Sequence, residues 1–142
     1  MEQYAYQEQA QAEALALPAL IARSWELAAM YSQTARQVSG KDSALLRRLG
    51  EESQAQGACL KGIYQMRTGM KSQVCFAPTR QETLRTALRR SYGKELELMG
   101  QFDQRRDQAE YGHVYRCLAV QCREHCAVLL EVLGRTGGDP SP

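Results

Sequence analysis

The chain has 142 residues, a hydrophobic fraction of 44% and a charged fraction of 24%, which suits one domain with a sizeable core and excludes wholesale disorder. A formal net charge of only +2, with the arginines spread along the chain, argues against a nucleic-acid footprint. No apolar run approaches the ~18–20 residues that span a bilayer, and the opening MEQYAYQEQAQAEA lacks the basic and apolar regions of a secretory leader, so a cytoplasmic chain is expected.

Ala, Leu, Gln, Glu and Arg dominate and alternating β-branched runs are nearly absent, which favours helix. Residues 1–16 are expected to be a frayed or disordered extension. A first helix is predicted over Leu17–Val38, with Pro18 in its first turn, where a missing N–H costs nothing. Gly40 then suits a C-terminal cap, and Asp42 or Ser43 an N-terminal one. The second helix is predicted over Ser43–Arg67, stopping at Gly69. The third is predicted to start near Thr79, with Glu82 completing a capping box, and to reach Arg106. The fourth runs over Glu110–Leu133, and residues 135–142 form a flexible tail.

Short links join the first helix to the second and the third to the fourth, so each pair is expected to be an antiparallel hairpin. The middle link is long enough to run the length of a helix, as a crossover. Inward stripes follow from residues spaced three and four apart: Leu17, Ile21, Ser24, Ala28, Tyr31, Ala35 and Val38; Leu46, Leu49, Ser53, Gln56, Leu60 and Ile63; Leu84, Leu88, Tyr92, Glu95, Met99 and Phe102; Tyr111, Val114, Leu118, Cys122, His125, Leu129 and Val132. Each stripe is interrupted near its middle by a polar side chain or a cysteine. Ser24, Ser53, Gln56, Glu95, Cys122 and His125 are therefore expected to share one buried polar layer, because a lone buried carboxylate is costly.

These stripes carry a resemblance. The stretch from Leu45 to Tyr64, the stretch from Leu118 to Leu130, Glu95 seven residues before Phe102, and Tyr31 together resemble the four helices of the ferritin-like superfamily, rubrerythrin type. The resemblance covers residues 17–134 and implies a ferritin-like four-helix bundle of two antiparallel hairpins joined by a crossover. It also implies a two-iron carboxylate centre built from Glu and Glu-x-x-His motifs. The departures bear on that centre. Ser24 stands where the family places a first-helix Glu, with Glu26 turned away from it. Ser53-x-x-Gln56 replaces Glu-x-x-His, with Glu51 and Glu52 off the stripe, and Cys122 replaces the Glu paired with His125.

One surviving carboxylate holds two cations poorly, so the expectation is no catalysis, no resident cofactor, and a bundle that works through protein contacts, as a homodimer or with another protein partner. The alternative is a single zinc or iron ion held by Glu95, Cys122, His125 and Gln56, since thiolate, imidazole and carboxylate together suit zinc.

Cys59, Cys75, Cys117, Cys122 and Cys126 are expected to be reduced thiols. A redox pair at Cys122 and Cys126 is a remote option. His113 and the paired arginines read as solvated surface. Gly50, Gly57 and Gly62 suggest a close helix approach or a small-residue dimer seam.

Overall fold

A computed structural model describes residues 2–74 and 81–136. Four helices make up the described structure, α1 (Glu2–Ala35), α2 (Gly40–Thr68), α3 (Leu84–Asp103) and α4 (Gly112–Arg135), and no strand occurs among the described residues. No described helix is long and apolar enough to cross a membrane. The predicted tail falls largely outside the described residues.

Element boundaries differ from expectation where side chains found distant partners. The first helix begins at Glu2 and not at Leu17, because the extension is fastened to the bundle rather than left free. Its lower part carries Glu13, which is buried. Arg67 at the end of α2 donates from Nε to Glu13 Oε1 at 2.8 Å, and the Tyr115 hydroxyl donates to Glu13 Oε2. Arg67 also reaches Glu110 at 3.0 Å and Tyr6 at 3.2 Å, and its guanidinium lies 4.7 Å from the centre of the Tyr111 ring. This clamp gathers α1, α2, the α3–α4 link and the start of α4.

The α1–α2 link turns through Gly40, whose φ of 63° lies in the left-handed region that favours glycine. Neither Asp42 nor Ser43 caps α2. Ser43 instead donates to the Ala35 carbonyl at 2.8 Å, closing the end of α1, and Asp42 accepts from Arg135 of α4. Gly69 ends α2 with φ 72° and an N–H bonded to the Gln65 carbonyl. Thr79 lies outside the described residues. The third helix starts at Leu84, capped by Thr83, whose side chain accepts from the Thr86 N–H. Glu82, expected in a capping box, pairs with Arg90.

Side-chain pairs fix how the helices run. Along α1 and α2, Ala35 meets Ser43 and Glu13 meets Arg67, so these neighbours are antiparallel. Phe102 stacks near Tyr115 while Glu95 meets His125, so α3 and α4 are antiparallel too. The hairpins touch through α1 against α3 and α2 against α4, whereas α1–α4 and α2–α3 form no comparable contact. Arg23–Glu97 and Met30–Ser91 mark the first seam; Gln56–Gln121 and Asp42–Arg135 mark the second.

The core holds Leu17, Leu20, Ile21, Leu27, Tyr31, Leu46, Leu49, Leu60, Leu88, Leu98, Phe102, Tyr115, Leu129 and Val132. On α3 the buried line is Leu88, Ser91, Glu95, Leu98 and Phe102. Tyr92 and Met99, expected within it, flank the core half-buried. Gly50 and Gly57 allow close packing inside the chain. A Cβ on Gly50 would stand 3.4 Å from the Tyr31 Cβ, and one on Gly57 only 3.1 Å from the Trp25 ring.

Two consequences are measurable by urea unfolding. Gly62 is helical, exposed and has open space where a Cβ would go, so Gly62→Ala raises stability by about 0.5–1 kcal/mol, whereas Gly57→Val lowers it by about 1–3 kcal/mol through the Trp25 clash. Arg67→Ala leaves Glu13 buried without its counter-charge and costs about 3 kcal/mol, with Tyr6 becoming more accessible to solvent.

Candidate functional site: a buried tyrosine–glutamate–histidine–glutamate chain

Glu95 and His125 are both fully buried at mid-bundle, on facing helices. Each sits within a helical run whose inward neighbours, Leu98 and Phe102 on α3 and Leu129 and Val132 on α4, are equally buried. The apolar periodicity thus carries the two polar groups inward. His125 Nδ1 lies 2.5 Å from Glu95 Oε2, and the Tyr31 hydroxyl of α1 donates to the same oxygen at 2.7 Å. The other ring nitrogen, Nε2, lies 2.7 Å from Glu52 Oε1 of α2. Arg48, one turn earlier on α2, approaches the second Glu52 oxygen at 3.7 Å. One continuous chain, Tyr31–Glu95–His125–Glu52–Arg48, therefore draws on all four helices and runs from the core to the surface.

Its electrostatics follow from this geometry. Burial disfavours an imidazolium, but hydrogen bonding and charge from Glu95, and then from Glu52, outweigh it and raise the His125 pKa above its ordinary value. The raised pKa widens the pH range over which the ring donates from both nitrogens. Burial first, then the Glu95 charge, push the Tyr31 hydroxyl well above the usual phenol range, so Tyr31 acts only as a donor to Glu95.

All six residues expected in the polar layer are buried, but they do not form one network. Glu95 bonds to His125, and Cys122 lies against both Glu95 and Gln56. Ser24 donates to the Leu20 carbonyl of its own helix at 3.1 Å. Gln56 donates to Gln121 at 2.7 Å, and the Ser53 hydroxyl and Glu95 Oε1 have no hydrogen-bond partner. Three members of the chain, Tyr31, Glu52 and Arg48, lie outside the expected layer. Glu52 was placed off the stripe, and its backbone does sit at the edge, but its long side chain reaches inward to His125. Tyr31 was read as core, and its ring is, while its hydroxyl is a hydrogen-bond donor. Glu26 faces outward and pairs with Arg90 and Lys94.

The arrangement does not fit the metal centre that the resemblance implies. Among the described residues, no group of three or more His, Cys, Asp or Glu is placed to hold a metal ion. Of the four donors expected for a single ion, Glu95 meets His125 and Cys122 lies against Glu95 and Gln56. The Gln56 amide donates to Gln121, and both ring nitrogens of His125 are engaged by carboxylates.

Cys122 and Cys126 lack the setting that activates a thiol. Burial, then the Glu95 charge, hold Cys122 far above the usual thiol range and push Cys126 up to about 11. All four described cysteines, Cys59, Cys117, Cys122 and Cys126, are unpaired with one another; Cys75 lies outside the described residues. His113 is exposed.

The chain gives stability a defined pH dependence. Because the folded His125 pKa is raised above the unfolded value near 6.5, its contribution is complete below that value and is lost as pH rises through the folded pKa. The stability advantage of the native chain over His125→Gln, read from urea titrations between about pH 5.5 and 9, should therefore be greatest at the acid end and shrink toward the alkaline end. A pH-independent difference would show that folding leaves the His125 pKa unshifted, and an advantage that grows toward the alkaline end would show that the ring is buried neutral. No family model, curated protein or solved structure matches this chain.

Proposed function

We propose that the protein is a ferritin-like, rubrerythrin-type bundle in which a charged hydrogen-bond chain stands where relatives hold two irons. In this reading it is a non-catalytic cytoplasmic protein that acts through contacts with other proteins or with a second copy of itself. One observation carries the reading: both nitrogens of the buried His125 are engaged by carboxylates, so the ligand that the resemblance would give to a metal is spent on an ion pair. The helix order adds support. α1 lies beside α3 and α2 beside α4, the adjacency expected of a crossover between two hairpins.

The second reading, a single zinc or iron ion at Glu95, Cys122 and His125, draws on a different observation. Glu95 Oε1 is buried without a partner, and a cation would satisfy it. Elemental analysis of protein purified without chelators separates the two. The ion-pair reading expects no stoichiometric metal, and the same thermal unfolding midpoint with and without added zinc. Stoichiometric zinc or iron that disappears in His125→Ala would overturn it.

A further inference from the structure

On the outer seam of the α1–α2 hairpin lies an open trough of about 390 Å³, bounded by Trp25 at one end and Arg36 at the other. It continues into a recess of about 200 Å³ that shares Ala28, Ser32 and Gln54 and adds Arg47, Gly50 and Glu51. We propose that this trough docks an acidic helix of a partner protein. The proposal deepens the contact reading above and rests on it.

Shape and charge both argue for that occupant. From Trp25 to Arg36 the trough follows α1 for about 16 Å at 1.5 Å per residue, the length of three turns of a second helix. Ala28 and Ala29 line it with small side chains, which lets a helix lie close. Arg36 and Arg47 are exposed. Their guanidinium groups bond to Ser32 at 3.4 Å and Ser43 at 2.9 Å, and neither has a carboxylate partner among the described residues. Arg23, Arg90 and Arg135, by contrast, all carry ion pairs. Lys61 adds a third positive charge, 5.0 Å from the centre of the Trp25 ring. Glu51 is the carboxylate that opposes them. The excess positive charge selects an anionic partner and gives binding a salt dependence.

Trp25 is the chain's only tryptophan, so its emission reports on the trough. The test titrates the full chain with a stapled helical peptide of about fifteen residues carrying Glu and Leu along one face, and with its Lys-for-Glu counterpart. The expected result is a saturable change in Trp25 emission with the Glu peptide only. It should weaken at least tenfold in the Arg36→Glu, Arg47→Glu double variant, with far-UV circular dichroism and the urea midpoint unchanged. If that double variant is unfolded, Arg36→Gln with Arg47→Gln supplies the same comparison. No saturable change, an equal response to the Lys peptide, or indifference to both double variants would overturn the proposal. So would an emission change produced by raising the protein concentration alone, which would assign the trough to a second copy and leave the contact reading intact. Failure of the contact reading is seen separately, as His125-dependent metal.

Discussion

Glu95 has no solvent exposure, and a carboxylate so placed loses its hydration without recovering it from apolar neighbours. Everything around it in the bundle answers that loss. Tyr31 from one hairpin and His125 from the other converge on a single oxygen of Glu95. Glu52 then balances the imidazolium from the opposite side. Three helices must arrive at the same height for the fourth to keep its anion. The side-chain chain is thus a condition on how the hairpins meet, as well as a local bond set.

The same logic recurs at one end of the molecule, where Glu13 is buried under Arg67 and Tyr115. Between the two charged levels the interior is mainly apolar, with Leu17, Ile21, Leu60, Phe102 and Leu118 among its members and Ser24, Ser53 and Gln56 as its polar exceptions. Hydrophobic burial supplies the bulk of the driving force. The charged levels add little net stability for their desolvation cost, yet each becomes strongly destabilising if one member is lost.

How much of this was legible in the sequence depended on reach. Glu95 and His125 stood out because they break stripes of period three and four, and backbone position alone carries them inward. Glu52 did not, since a period argument tracks the helix face and ignores how far a glutamate can bend round it. The α3 stripe drifted by one position from Leu98 to Met99, because both are apolar and adjacent and only packing chooses between them. Glu13 was invisible within a run of Gln, Glu and Ala, its partners lying far away in sequence at Arg67 and Tyr115. The start of α3 was misplaced for the same reason: Glu82 fitted a local cap but was drawn to Arg90. Local grammar was readable; long-range charge pairing was not.

The interval along α2 between Glu52 and Arg67 is not a whole number of heptads. Greasy stripes by themselves would tolerate one helix sliding past another by seven residues, since leucine meets leucine again after such a slip. With two rivets set at an incommensurate spacing, no sliding step brings either rivet to the other's hole. The bundle is thereby committed to a single alignment, much as a key with two unequal notches enters a lock at only one depth.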